Sequence, residues 1–250
     1  MSQKILEVSK LNKGFGGLSA VQEVDFELSE GDQAAIIGPN GAGKSTFFNL
    51  VTGHHTPDSG TILFDGMDIT GWPQHRIARA GISRAFQISN IFHRMTVREN
   101  VRTAVHAEMH KSLNIITRAD QIGMAETNSV LELSGLSDKG EVTAGELSQG
   151  DKKRLELAIA LAGKPRLVLL DEPTAGMSLE ETRETMALVD TLNAKYGVTV
   201  LFTEHDMSVV FNHARRVTLL HRGEVIISGT PEQVRASSTA QKIYLGDHHL

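Results

Sequence analysis

Residues 38–46, GPNGAGKST, constrain the fold of this chain more than any other segment, because they fit the pattern G-x-x-x-x-G-K-[ST]. Glycines in this pattern let successive backbone N–H groups turn inward around a phosphate at the start of a helix. The preceding segment, QAAII (33–37), is a short apolar run, and the following one, STFFNLVTG, has apolar residues at helical spacing and ends at Gly53. The sequence therefore predicts a strand, a phosphate-binding loop and a helix, in that order.

The side chains of this loop suit ATP bound with Mg²⁺. Lys44 supplies a flexible positive charge for the β- and γ-phosphates, Ser45 offers a hydroxyl to Mg²⁺, and Thr46 can reach the α-phosphate. The residues of the loop predicted to bind ATP are Gly38, Asn40, Gly41, Ala42, Gly43, Lys44, Ser45 and Thr46.

A second apolar run, LVLLD (167–171), is typical of a buried parallel strand and ends in an acid. Asp171 is therefore expected to hold Mg²⁺ through water. Strand alternation would direct the next residue, Glu172, to the opposite side, where it could act as the general base on an attacking water. A solvated acid at the end of a strand is the alternative interpretation of Glu172.

The rest of the chain divides into strand-rich and helix-rich stretches. ILEV (5–8), VDFEL (24–28), TILF (61–64) and VTVLF (198–202) are strand-like, and two further runs flank the turn signal Arg222-Gly223 as a hairpin. Residues from about 73 to 162 have mostly helical patterns, and the segment from 231 onward predicts a short helix with a tail.

Composition excludes several classes of protein. No apolar stretch approaches the roughly 18 residues of a membrane helix, and the N-terminus lacks a signal-peptide core, so we expect a cytosolic chain. The absence of cysteine fits that compartment and excludes disulfides and thiolate metal sites. A net charge of −5 argues against a nucleic-acid partner. The paired histidines at 54–55 and 248–249 lack metal-ligand spacing.

The segment LSQGDKKRLE (147–156) marks a second helix start far from the first. Ser148 with Asp151 forms a capping-box pattern. Three cations follow at 152–154 in the first turn, where the helix dipole disfavours them unless an anionic group compensates. An exposed helix N-terminus of this kind could close over the γ-phosphate of a nucleotide held by another subunit.

GPNGAGKST, Gln87, LSQGD, LVLLDE and His205, in this order and spacing, resemble an ABC-transporter ATP-binding subunit from about residue 4 to 246. The resemblance implies a head-to-tail dimer in which Ser148 and Gly150 contact the γ-phosphate of the partner's ATP. It also implies that His205 stabilises the γ-phosphate and that Gln87 senses both Mg²⁺ and the attacking water. The implied Mg²⁺ ligands are Ser45, Gln87 and Asp171. Phe15 would stack on adenine, with a core phenylalanine as the alternative.

The same resemblance implies the fold class and the domain boundaries. We expect an α/β fold with a P-loop NTPase core built on a RecA-like, mostly parallel sheet, an N-terminal antiparallel β subdomain and an inserted α-helical subdomain. A single ABC ATPase domain would cover 1–250. Its nucleotide-binding core would comprise 1–88 and 163–230, its helical subdomain 89–162, and its C-terminal helix and tail 231–250.

Three positions in two segments depart from the family pattern. Gln149 and Asp151 stand where the usual LSGGQ has a glycine and a glutamine, and an acid there would repel a γ-phosphate, so we expect Asp151 to turn inward as the helix cap. Ser178 replaces the usual aspartate of SALD, which removes an expected contact between subunits. Ser178 with Glu181 also forms a capping box for a helix that is predicted to run to about Lys195.

The segments ARAGISRAFQ, IFHRMTVRENV, DEPTAGMS, TEHDM and IYLG are most similar to the ATPase subunits of importers for branched-chain amino acids and related small amides or urea. The implied function is uptake of branched-chain or other hydrophobic amino acids driven by ATP hydrolysis, with import of urea or short amides as the alternative. The implied partners are a second ATPase subunit, identical or related, transmembrane permease subunits and, indirectly, a solute-binding protein. The implied location is the inner face of the cell membrane. Residues 89–101 would receive a permease helix on a floor that includes Phe92 and Met95, although core packing of both is the alternative.

Three other classes of protein remain open. They are the ATPase of a lipid or lipopolysaccharide exporter, an ABC protein of translation or DNA repair, and a regulatory nucleotide-binding module without hydrolysis. The second class usually carries two ATPase cores or a long coiled-coil insertion, and the sequence has neither.

Overall fold

The computed structural model describes residues 3–85, 91–108 and 123–245. Across these ranges, none of the helices has both the length and the apolar character needed to cross a lipid bilayer.

The N-terminal part forms an antiparallel sheet. Its strands are β1 (Lys4–Phe15), β2 (Leu18–Ser29), β4 (Ser59–Phe64) and β5 (Met67–Asp68). They lie in the order β2-β1-β4-β5. The runs ILEV, VDFEL and TILF are confirmed as strands. β1 and β2 extend beyond those runs because a tight turn at residues 16–17 continues their pairing to Phe15 and Leu18.

A second, six-stranded sheet forms the centre of the chain. Its strands are β3 (Gln33–Ile37), β6 (Ile82–Ala85), β7 (Leu167–Asp171), β8 (Thr199–Thr203), β9 (Arg216–His221) and β10 (Glu224–Gly229). They lie in the order β10-β9-β3-β8-β7-β6, and only β10 is antiparallel to its neighbour. Every residue of β3, β7 and β8 is buried, as the continuous apolar runs predicted. The predicted α/β fold class is confirmed.

Nine helices occur in the described part of the chain. They are α1 (Lys44–Val51), α2 (Gln74–Ala80), α3 (Val97–Glu108), α4 (Met124–Leu133), α5 (Gln149–Ala162), α6 (Leu179–Tyr196), α7 (Met207–His213), α8 (Pro231–Ala236) and α9 (Ser238–Leu245). Buried residues of α3, α4 and α5 form an apolar cluster separate from the clusters on the two faces of the central sheet. This separation is compatible with the predicted helical subdomain, whose boundaries remain a prediction.

Two expectations about these elements were wrong. The stretch 73–162 is not continuously helical in character, because Ile82–Ala85 forms β6 at the edge of the central sheet. This strand has only four residues, and only Ile82 and Ala85 at its two ends are apolar, so it gave no strong apolar run. The C-terminal segment contains two helices, because Ser237 after α8 has extended backbone angles that end the first one.

The second predicted capping box is confirmed at the start of α6. The Ser178 hydroxyl accepts a hydrogen bond from the Glu181 N–H, and the Glu181 carboxylate accepts one from the Ser178 N–H. The helix ends at Tyr196, one residue beyond the expected end, where Gly197 adopts φ 68°. The start and the end of this helix could be predicted from the sequence because each depends on residues within a few positions of one another.

Candidate functional site

The loop between β3 and α1 has the backbone that its glycines predicted. Gly43 has φ 105°, and a Cβ atom at this position would lie 2.4 Å from the carbonyl oxygen of Ala20. Only glycine fits such a position, because an L side chain would be strained by both the torsion angle and the close approach. The loop therefore delivers its N–H groups to the N-terminus of α1, where a phosphate is favoured.

Lys44 is the first residue of α1 and lies folded over this loop. Its Nζ donates to the carbonyl oxygens of Gly38 at 2.6 Å and Pro39 at 3.2 Å. Burial lowers the pKa of the Lys44 ammonium below its ordinary value, and the charges of Glu172 and Asp171 oppose this shift. Both carboxylates therefore lie close enough to act electrostatically on the lysine of the loop.

The loop borders an open cleft of about 710 Å³. Seven of the eight predicted loop residues line this cleft, and they are Asn40, Gly41, Ala42, Gly43, Lys44, Ser45 and Thr46. The other walls include Phe15, Leu18 and Glu172. Phe15 is 43% exposed, so it is not the core residue of the alternative interpretation.

The sequence analysis missed five residues that line the cleft, which are Leu18, Ser19, Ala20, Gln22 and Arg222. Arg222 lies in the hairpin turn between β9 and β10, and Gln22 lies on β2. Gln22 Nε2 donates to the Arg222 carbonyl oxygen at 2.8 Å, so the two sheets meet at this side of the cleft. For Arg222 the sequence showed only the Arg222-Gly223 turn, which predicts a hairpin. It did not indicate that this turn contacts Gln22, which lies 200 residues earlier in the chain.

Asp171 ends β7 as predicted, but its carboxylate is held by neighbours that the sequence did not reveal. Arg84 Nη2 donates to Oδ2 at 2.7 Å, and the Thr203 hydroxyl donates to Oδ1 at 2.7 Å. Arg84 also donates to Asn49 Oδ1 on α1 at 2.7 Å. Burial lowers the pKa of the Arg84 guanidinium, and its bond to Asp171 opposes the shift. The buried arginine thus connects the acid of β7 to the helix that follows the phosphate-binding loop.

Strand alternation does not set the direction of the Glu172 side chain, so that part of the sequence argument was wrong. β7 ends at Asp171, and Glu172 has φ 53°, a left-handed conformation that is uncommon for a residue with a side chain. Its N–H donates to the carbonyl oxygen and to the hydroxyl of Thr203, each at 3.1 Å. The strained turn, held from β8, sets the side-chain direction.

His205 lies directly beside Glu172. His205 Nε2 and Glu172 Oε1 are 2.9 Å apart, and the side chains are 46% and 41% exposed respectively. With an ionised glutamate, the ring N–H is the donor and the carboxylate is the acceptor. The two residues predicted to act on the reaction therefore come together at the carboxyl edge of the central sheet. Gln87, the third, lies outside the residues that the structure describes.

The segment LSQGD begins α5 and does not line the cleft. Ser148 is the N-cap, and its hydroxyl accepts from the Asp151 N–H at 3.1 Å. As expected, the Asp151 carboxylate is turned inward, but it accepts from the Ser148 hydroxyl at 2.9 Å and from Lys139 Nζ at 2.6 Å, and no bond from the Ser148 N–H completes the predicted capping box. Burial would raise the pKa of Asp151, but the bonds from Lys139 and Ser148 outweigh it and lower the pKa.

Acids of α6 lie against the first turn of α5. Glu184 forms an ion pair with Arg154, and a Cβ atom on Gly150 would lie 2.8 Å from Glu181 Oε1. Hydrogen bonds from the Ser178 N–H and hydroxyl, and then from the Gly150 N–H, lower the pKa of Glu181. At least one of the three cations at 152–154, Arg154, therefore has an anionic partner within its own chain.

We expect Asp151→Asn to destabilise the fold by about 1 kcal/mol near neutral pH, because it removes a partly buried charge pair with Lys139. The pKa of Asp151 is lower in the folded chain, so this stabilisation is full above the unfolded value of about 3.9 and is lost as pH falls through the folded value. Urea midpoints at pH 7 and at about pH 2, well below the unfolded value, measure the loss.

Asp138→Asn is the matched control for this variant, because Asp138 is an exposed acid of the same region with no ion pair among the described residues. Its urea midpoint should equal that of the wild type at every pH. A midpoint for Asp151→Asn that does not change relative to wild type between the two pH limits would contradict the assignment of the charge pair.

Comparisons with known proteins place this chain beside transport ATP-binding proteins. Residues 21–175 match the family model described as ABC transporter. The chain is 39% identical to the high-affinity branched-chain amino acid transport ATP-binding protein BraF of Pseudomonas aeruginosa, over 99% of this chain and 100% of that protein. It is 37% identical to the corresponding protein LivG of Escherichia coli K12, again over 99% and 100%.

Solved structures give the same result. The ADP conformation of MJ1267, an ATP-binding cassette of an ABC transporter, superposes with a TM-score of 0.87 at 30% identity and covers 98% of this chain and 100% of its own. A nucleotide-free ATP-binding cassette from an ABC transporter superposes with a TM-score of 0.84 at 30% identity, over 96% and 98% of the two chains.

Proposed function

This chain belongs to the ABC transporter family and is an ATPase, and from that premise we propose that it is the subunit of a membrane importer that couples ATP hydrolysis to uptake of branched-chain amino acids. The observation that carries the assignment of the site is the meeting of three groups at one edge of the central sheet. Lys44 and Glu172 line the same cleft, and Asp171 is joined through Arg84 to Asn49 of α1, the helix that begins at Lys44.

The hydrolytic step follows from the placement of Glu172. Its carboxylate is half exposed at the cleft, so it can take a proton from a water that attacks the γ-phosphorus. A bond forms between the water oxygen and phosphorus, the bond to the β,γ-bridging oxygen breaks, and ADP leaves with its charge beside Lys44. His205 Nε2, which lies 2.9 Å from Glu172 Oε1, would turn its N–H from this carboxylate to the transferred phosphoryl group.

Mg²⁺ fits the oxygen ligands that the structure brings to this edge. Ser45 carries an exposed hydroxyl on the first turn of α1, and Asp171 carries a carboxylate at the end of β7. A magnesium ion usually takes one or two protein oxygens and completes its shell with phosphate oxygens and water. The metal would neutralise charge on the phosphates. Gln87 is proposed as a further ligand from the family pattern.

The adenine is proposed to bind at the outer end of the cleft against Phe15. This ring is exposed, Lys13 Nζ lies 5.5 Å from its centroid, and His55 packs edge-on at 5.2 Å. An aromatic face kept in place by such neighbours is suited to stacking on a base.

The segment LSQGD at the start of α5 is proposed to contact a nucleotide that is bound by another subunit. Ser148 and Gly150 form the N-terminal end of α5 and lie outside the cleft of their own chain. In a head-to-tail dimer this helix end would contact the γ-phosphate in the partner's cleft. Contacts made only on closure give ATP a higher affinity for the closed dimer, and hydrolysis removes that difference, which is the physical origin of the transport stroke.

The permease is proposed to dock beside β6 on residues 91–101, at the inner face of the membrane. Phe92 is 55% exposed and Met95 is half-buried, so at least the phenylalanine is not part of the core. Asn100 fixes this turn, because its side chain accepts from the Phe92 N–H at 2.8 Å and donates to the Phe92 carbonyl oxygen at 3.1 Å. An apolar ring on a rigid turn is suited to receive an amphipathic helix.

Reconstitution with its membrane subunits tests the proposed function. The vesicles would contain this chain, the permease subunits with which it copurifies, and a solute-binding protein supplied outside. We expect them to accumulate leucine, isoleucine and valine only when ATP is enclosed in the vesicle interior, which the ATPase subunits face. The matched control is the same complex with Glu172→Gln. Uptake of urea or acetamide without leucine would overturn the proposed substrate, and ATP-driven lipid export would overturn import.

A further inference from the structure

We propose that Glu204 is a positioning residue that fixes the Glu172 and His205 loops against each other, an inference that rests on the catalytic roles proposed above. Glu204 follows β8 and is 3% exposed. Its Oε1 accepts from the Thr174 N–H at 2.8 Å and from the Thr174 hydroxyl at 2.7 Å. Its Oε2 accepts from the N–H of His205 at 3.1 Å.

These three bonds tie both sides of the Glu172–His205 contact to one carboxylate. Thr174 lies two residues after Glu172, and the carbonyl oxygen of Glu172 accepts from the Ala175 N–H at 3.2 Å in the same turn. His205 is the residue that directly follows Glu204. A shift of the Glu204 side chain would therefore move the general base and the histidine relative to each other.

The strained backbone at Glu172 makes such a constraint necessary. With φ 53°, Glu172 is in a conformation that persists only when its surroundings hold it. Thr203 holds the N–H of Glu172 from β8, and Glu204, the next residue of the chain, holds Thr174 on the far side of the same turn. Two successive residues of one strand end therefore restrain the turn on both sides of Glu172.

A carboxylate suits this position because the surrounding groups are all donors. All three hydrogen bonds reach Glu204 from N–H or O–H groups, and no lysine, arginine or histidine side chain in residues 3–85, 91–108 and 123–245 forms an ion pair with it. A buried carboxylate is costly unless it is hydrogen-bonded. A glutamine of the same shape has one acceptor oxygen, so its amide NH₂ would face one of the N–H donors.

Glu204→Gln tests the inference. We expect kcat for ATP hydrolysis to fall about 10-fold or more, because small misplacement of reacting groups is costly, while KM for ATP and the Kd of a fluorescent ADP analogue change less than about 2-fold. Asn193→Ala is the matched control. Asn193 is also buried and makes three hydrogen bonds, but away from the cleft, so its loss should lower the unfolding midpoint without changing kcat.

A second set of variants separates positioning from general stability. In a His205→Ala background, Glu204→Gln should reduce kcat by a much smaller factor than in the wild type, because one of the two groups that it positions is absent. Thr174→Ser, which keeps the hydroxyl, should retain more of kcat than Thr174→Val. Equal fold reductions in both backgrounds, or a wild-type kcat for Glu204→Gln, would overturn the inference.

The failure of this inference and that of the proposed function give different results. If Glu172→Gln is inactive and Glu204→Gln retains wild-type kcat, only the positioning role is wrong. If Glu172→Gln hydrolyses ATP at the wild-type rate, the proposed base is wrong and the role of Glu204 has no group to act through.

Discussion

Glu172→Gln is expected to lower kcat for ATP hydrolysis by about 10²- to 10⁴-fold, the range that a positioned proton acceptor contributes, and to leave the affinity for ATP nearly unchanged. An amide has the shape of the carboxylate but cannot take the proton of the attacking water. The amide oxygen can still accept the hydrogen bond from His205, so the local structure should persist. Phosphate release measured with saturating ATP, together with equilibrium binding of ATP, checks both parts.

Glu180→Gln is the control for this substitution. Glu180 is an exposed acid in the first turn of α6, a few residues along the chain from Glu172, and it does not line the cleft. Its removal changes net charge equally and should leave kcat at the wild-type value. Equal rates of phosphate release from wild type and Glu172→Gln would remove the general-base assignment.

The parts of the site that could be predicted from sequence are those in which neighbouring residues carry the signal. The loop GPNGAGKST, the end of β7 at Asp171 and the caps at Ser148 and Ser178 each depend on a few consecutive residues, because backbone torsion angles, helix caps and buried apolar runs are local properties. The strand order was not predicted in detail, because it depends on pairings between segments far apart in the chain.

The missed residues depend on contacts across the fold. Arg84 meets Asp171 across 87 residues, and Glu204 meets Thr174 across 30, so neither contact leaves a local pattern in the sequence. A buried arginine on a four-residue edge strand also looks like an ordinary polar residue. The direction of Glu172 was assigned from strand alternation, but the strand ends one residue earlier and a left-handed turn replaces it.

Two variants that are each inactive, Lys44→Ala and Ser148→Arg, are expected to recover ATP hydrolysis when they are mixed, and this recovery tests the proposed dimer. Lys44→Ala should abolish hydrolysis because it removes the charge that the loop supplies to the phosphates, and Ser148→Arg should abolish it by blocking the end of α5. Each variant alone therefore contains no complete site. A mixed dimer contains one complete site, formed by Lys44 of one chain and Ser148 of the other.

An equal mixture of the two variants should hydrolyse ATP at about a quarter of the wild-type rate, because half of the dimers are mixed and each has one of two sites intact. Thr230→Ala is the control for loss of a helix cap, since Thr230 caps α8 away from the lining of the cleft and its removal should cost about 1 kcal/mol of stability without inactivation. No activity in the mixture, together with an ATP-loaded Glu172→Gln protein that sediments as a monomer even when permease subunits are supplied, would exclude a site shared between two copies of this chain. Because Ser148 and Gly150 do not line the cleft of their own chain, a helix end of this kind would then have to come from a related ATPase subunit, or hydrolysis would proceed without one.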